Sequence, residues 1–219
     1  MNIKSLDNNI VLAFSRNIAD SLGVDRIKDK AEIIYDDLNP NPVVTRLPDH
    51  ASIMIPEAQV AVSAFYDTVV ITDNTIGAFN KKNTTNLMKL ARSVRDIVGG
   101  DLVAYGYNFK IEAEGDDTFE AMAAKIKGSF FSDSISESLP SSSTFLYALP
   151  ILVFTNNRAK TTIKFLSNIK KDGSEELDKI LIASNFHFES TRLPALSSLK
   201  DDYMKRELLT RNYAKKILR

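Results

Sequence analysis

The chain contains no cysteine. That excludes disulfides, thiol nucleophiles and cysteine-ligated zinc or iron–sulfur centres. Histidine is almost as scarce: His50 and His187 are the only two, so no metal site can draw on more than two imidazoles. Glycine numbers 8 in 219 residues. Neither phosphate-cradling loop, G-x-x-x-x-G-K-[ST] or G-x-G-x-x-G, occurs, which leaves little backbone for holding a nucleotide. G-x-S-x-G and H-E-x-x-H are missing as well. No cofactor is expected.

An excess of either charge is also lacking. Lys plus Arg and Asp plus Glu are 28 each. Proteins whose main partner is nucleic acid usually carry a basic surplus, because phosphate neutralisation supplies much of the affinity. The balance removes that argument for the whole chain and leaves a local patch open. No apolar run approaches the ~18 residues of a membrane span. The stretch Ile10–Phe14 is shorter than a signal-peptide core. Together with the absent cysteine, this makes a soluble, cytoplasmic protein the expectation, with no membrane partner.

What is present is periodicity. Ile10, Leu12 and Phe14 alternate with Val11 and Ala13, which predicts a strand buried on both faces. Val24, Ile27, Ala31, Ile34 and Leu38 recur at helical steps and stop at Asn39-Pro40-Asn41-Pro42, where proline ends a helix. Val60–Ala64 and Val69–Ile71 alternate around Tyr66-Asp67, predicting a hairpin. Leu87, Leu90, Ala91, Val94, Ile97 and Val98 form a helical stripe, with Asn83 or Thr84 as its cap and Gly99-Gly100 as its end.

The segment LVAYGYNFKIEAE then places an apolar residue at every odd position from Val103 to Ala113. This is a strand with one face in a core. Its tyrosines, Tyr105 and Tyr107, are therefore read as core residues. A short helix carrying Phe119, Met122, Ala123 and Ile126 and a serine-rich loop, 129–144, are expected next. Strands around Ile163 and Phe165 and around Ile180–Phe188 follow, with a turn at Gly173 between them. A final amphipathic helix is predicted from about Ser198. The sum is α+β: a largely antiparallel sheet with helices on one face. Its topology resembles ferredoxin-like hairpin and helix units, with a loose internal duplication. One domain, 1–219, is expected, with possible sub-halves 1–128 and 145–219.

Candidate chemistry is thin. His187 shares a strand face with Asn185 and Glu189, so His187 with Glu189 or Glu112 could serve as an acid/base pair. His50, in a proline-containing loop, is read as solvated. The acids Glu112, Glu114, Asp116, Asp117 and Glu120 lack calcium-loop spacing and suit a strand end followed by a helix start. Lys205, Arg206, Arg211, Lys215 and Lys216 gather on the last helix. Cations are favoured at a helix C-terminus by its dipole, and the same residues could meet a partner or nucleic acid. The leading expectation is a non-catalytic binding or assembly protein working through protein–protein contacts, with the terminal helix as a route to a homo-oligomer. An acid/base enzyme built on His187 and an accessory nucleic-acid binder are the alternatives.

Overall fold

The computed structural model describes residues 2–18, 22–75, 81–114, 151–156, 159–169 and 175–217, with 121, 124, 125 and 128 as isolated helical positions. The expected Phe119–Ile126 helix, the serine-rich loop, the Gly173 turn and the acids Asp116, Asp117 and Glu120 lie outside them.

Nine strands form one antiparallel sheet. In chain order they are β1 (Asn2–Phe14), β2 (Val43–Leu47), β3 (His50–Ile55), β4 (Val60–Phe65) and β5 (Thr68–Asp73), then β6 (Leu102–Glu114), β7 (Ile151–Asn156), β8 (Ala159–Ile169) and β9 (Glu175–Glu189). Across the sheet the order is β2-β3-β4-β5-β1-β6-β9-β8-β7. Three helices with described bounds are α1 (Val24–Ile34), α2 (Lys81–Val98) and α3 (Leu196–Ile217). β5 and β6 flank β1 and both run antiparallel to it. They are therefore parallel to one another, and α2 lies between them in the chain.

One register row explains the core. Val44, Ile53, Val62, Ile71, Ile10, Tyr107, Phe186, Thr161 and Phe154 lie side by side from edge to edge. The seven inner members of that row, Ile53 through Thr161, are buried. The helices supply the other side: Val24, Ile27 and Ala31 from α1, the stripe Leu87–Val98 from α2, and Leu199 and Tyr203 from α3. A second, smaller cluster joins Ile111, Ile163, Phe165, Ile180 and Ile182 to Ala214 of α3.

Among the described residues, the helices with given bounds pack on this face alone, and that corrects the reading of β1 as buried on both sides. Val11 and Ala13 are half-buried on the opposite face. Other differences are local. α1 ends at Ile34 and gives way to a short 3-10 turn, Asp36–Leu38, with Asn39 at φ 49°. α2 begins at Lys81, so Asn83 and Thr84 lie inside its first turn and do not cap it. Gly99 and Gly100, at φ 62° and 78°, do end it. The β4–β5 hairpin turns at Tyr66-Asp67 without glycine, with Tyr66 at φ 49°. Both turn carbonyls are used: Phe14 N–H donates to Asp67 O (2.8 Å) and Ile18 N–H to Tyr66 O (2.6 Å). The segment read as a loop around His50 is the β2–β3 hairpin.

Candidate functional site

The face opposite α1, α2 and α3 carries two informative rows. In one, Thr72, Asn9, Asn108, Asn185 and Thr162 follow one another across five strands. Asn108 Nδ2 donates to Asn9 Oδ1 at 2.7 Å, and Asn185 Nδ2 donates to Asn108 Oδ1 at 2.5 Å. The three amides are thus linked in a chain along the sheet. The next row, Val70, Val11, Gly106, His187 and Lys160, sets small and apolar groups beside two basic ones. Toward the two edges the face becomes apolar. Val43, Leu47, Met54 and Phe65 near β2, and Ile151 and Val153 on β7, are large side chains left exposed. His50 stacks on Phe65 with ring centroids 4.3 Å apart and planes 4° from parallel, so it is a strand residue and not a solvated loop histidine.

His187 is exposed on this open face, opposite Gly106, with Lys160 on its other side. Glu189, two residues on, is exposed too. Glu112 lies six residues along β6 from Gly106, roughly 20 Å away at ~3.3 Å per residue. It faces Lys4 across β1. The structure brings His187 near Glu189 and leaves Glu112 outside any shared site. Among the described residues no three histidine, aspartate or glutamate side chains gather as metal ligands.

The basic helix separates by role. Lys205, Lys215 and Lys216 are exposed. Arg206 is 6% exposed; its Nε donates to Asp202 Oδ1 at 3.3 Å and its guanidinium lies 5.3 and 5.5 Å from the ring centres of Phe186 and Phe188. Arg211 pairs with Glu207 one helical turn earlier, and it reaches β1, donating to Ser5 Oγ at 2.9 Å and Ile3 O at 3.3 Å. Ser184 and Thr210 share a buried hydrogen bond nearby, and Thr210 also donates to Arg206 O at 3.0 Å. The residues read as a basic surface thus include two arginines that fasten α3 to the sheet. The apolar stripe of α3 is covered in the same way, by its own sheet.

Where β9 ends and α3 begins, a cleft of about 580 Å³ opens, lined by Tyr105, Phe188, Glu189, Asp202, Lys205 and Arg206 among others. The rings of Tyr105 and Phe188 stack at 4.8 Å. Burial, with Asp202 second, raises the Tyr105 phenol above its ordinary pKa, while Arg206 opposes the shift. Beneath it Tyr107 is fully buried, and burial first and Asp202 second push its pKa far up. The sequence signal for this cleft was weak. Asp202 and Arg206 stand one turn apart on α3, but only the packing of α3 against β9 brings Phe188 to them.

No family model matches the chain, and no characterised protein matches it in sequence. Among the described residues, no helix is long and apolar enough to cross a membrane.

Proposed function

We propose that this is a non-catalytic binding and assembly protein, and that the sheet face opposite α1, α2 and α3 is where a second copy of the chain docks. The observation that supports the reading is that, among the described residues, helices pack on one side of a nine-stranded sheet, while Val43, Leu47, Met54 and Phe65 are exposed on the other. Nine strands at ~4.8 Å span roughly 40 Å. Over about 20 Å of strand length that face offers on the order of 800 Å², the size of one side of a standard protein interface. A formal charge of zero means two copies meet without net repulsion. Two hydrogen bonds of the amide ladder are already made internally, so covering it costs less than covering wholly free polar groups. The cysteine-free sequence supports placing this assembly in the cytoplasm. The ferredoxin-like description belongs to the same proposal and is supported by the β5–α2–β6 unit around β1.

The terminal helix does not serve as the docking element in this reading, because its stripe is spent on its own sheet. The test is the solution mass, by sedimentation velocity, of the wild type and of Met54→Asp and Phe65→Asp. Both side chains are exposed, so the folded chain tolerates the changes. A wild-type dimer that becomes monomeric in the variants is expected. A wild-type monomer at tens of micromolar, or a dimer indifferent to both changes, would refute the reading.

A further inference from the structure

We infer that the cleft between α3 and the ends of β6 and β9 binds a small organic carboxylate through Arg206. This site is separate from the open sheet face and does not depend on it. The Arg206 side chain is 7% exposed, an environment in which a cation needs partners. It makes a single hydrogen bond among the described residues, from Nε to Asp202 Oδ1. Its two terminal nitrogens make none, and they are not sealed in the core, because Arg206 lines the cleft. The planes of Phe186 and Phe188 hold the guanidinium from below. A fixed guanidinium with an open fork is suited to a planar, two-oxygen anion, which it meets with two parallel hydrogen bonds.

The rest of the cleft narrows the class. Its volume of about 580 Å³ is too large for an inorganic anion and falls within the ~300–1,000 Å³ range of small-molecule sites. Tyr105, Phe188, Pro194 and Leu209 provide walls for an apolar or aromatic body. Lys205 stands at the rim and adds a second cation. Glu189 and Asp202 are also in the lining, and they balance Lys205 and Arg206 in formal charge. With no net positive field, an anion is held by the local Arg206 fork, and the nearby carboxylates oppose one negative charge less than two. A phosphate dianion would face two carboxylates with no surplus of positive charge. The ligand is therefore a monocarboxylate on an apolar frame and not a nucleotide.

The test is isothermal titration of the full chain at low salt with indole-3-acetate, with indole-3-acetamide and with phenyl phosphate. Saturable binding of the carboxylate is expected, with the amide at least about tenfold weaker, since a charge-assisted pair is lost. Phenyl phosphate is expected to bind more weakly than the carboxylate. Arg206→Lys keeps a cation beside Asp202 and loses the fork, so carboxylate affinity should fall about tenfold or more. Lys205→Gln, on the exposed rim, should weaken it a few-fold with no change in melting temperature, which separates loss of binding from loss of fold. Acid and amide binding equally, phosphate binding more tightly than carboxylate, no carboxylate binding in the millimolar range, or Lys205→Gln binding as the wild type does would each overturn the inference.

Discussion

Replacing Arg211 by methionine tests whether this cation is structural or free for a partner. The methionine retains much of the aliphatic stem and removes the guanidinium. In the wild type that group pairs with Glu207, whose side chain is 5% exposed, and donates to Ser5 Oγ and Ile3 O on β1. Deleting it leaves the Glu207 carboxylate buried without its cation. Breaking a buried pair from one side costs roughly 3–5 kcal/mol, because the remaining charge is uncompensated. That is a large share of the ~5–15 kcal/mol that holds a typical domain folded. The double variant Glu207→Gln, Arg211→Met removes both charges and leaves one neutral amide and the Ser5 hydroxyl to satisfy. Its expected cost is about 1–3 kcal/mol, so the double change should be milder than the single one. Equilibrium urea unfolding, followed by far-ultraviolet circular dichroism, reads both values where the slope with denaturant stays constant. A single-variant loss under about 1 kcal/mol, or a double variant no better than the single, would refute the assignment of Arg211 as a staple.

Three further outcomes follow from the same packing. Gly106→Ala would place a Cβ 2.7 Å from Phe186 O, a backbone atom that moves only if β6 and β9 separate; a loss of about 1–3 kcal/mol is expected, seen as a melting temperature lower by roughly 3–10 °C. Tyr35, Tyr107 and Tyr203 are held well above the ordinary phenol pKa, by burial first in each case. A raised folded pKa gives stability that is whole below the unfolded value near 10 and is lost as pH climbs past it. At about pH 11 the folded chain should therefore show at least three fewer phenolates at 295 nm than the urea-unfolded chain, and a full set of 7 without unfolding would contradict the burial. Truncation before Leu196 removes Leu199, Tyr203 and Ala214 from both cores, so the shortened chain should lack a cooperative thermal transition.

How much of this was legible in the sequence depends on the length of each repeat. β6 runs thirteen residues, and its alternation from Tyr105 to Ala113 names the strand and its buried face together; at its start the pattern departs, with Val103 exposed and Leu102 and Ala104 buried. The α2 stripe was equally plain. Short segments failed. β2 spans five residues, and its chain neighbour β3 begins at His50, straight after Pro48-Asp49, so the turn residues outweighed the brief alternation of Ala51, Ile53 and Ile55. β1 failed differently. Alternate apolar residues on both faces of a strand imply two covered faces only when something packs on each. Here Val11 and Ala13 are central in a wide sheet, and flanking strands half-bury them without a second layer.

The site was less legible for a reason particular to α3. A helix that is both amphipathic and basic invites the division of its residues into an apolar stripe for the core and cations for the surface. That division assumes that charge marks the solvent side. On α3 the buried positions are Leu199, Tyr203, Arg206, Glu207, Thr210 and Ala214, a stripe at helical spacing that is half polar. Each polar member has a partner: Asp202 and two aromatic rings for Arg206, Arg211 for Glu207, Ser184 for Thr210. Two of those partners stand one turn away on the same helix, at i−4 and i+4. The sequence signal that could have identified them was thus the acid–base spacing Asp202–Arg206 and Glu207–Arg211, and not the count of cations. Such spacing is also common on solvated helices. What distinguishes the two cases is the sheet beneath, where Phe186, Phe188, Ser5 and Ser184 offer rings and hydroxyls in place of a purely aliphatic surface. The placement of Arg206 and Arg211 is therefore a consequence of what β1 and β9 present to α3, while Lys205, Lys215 and Lys216 are exposed to solvent.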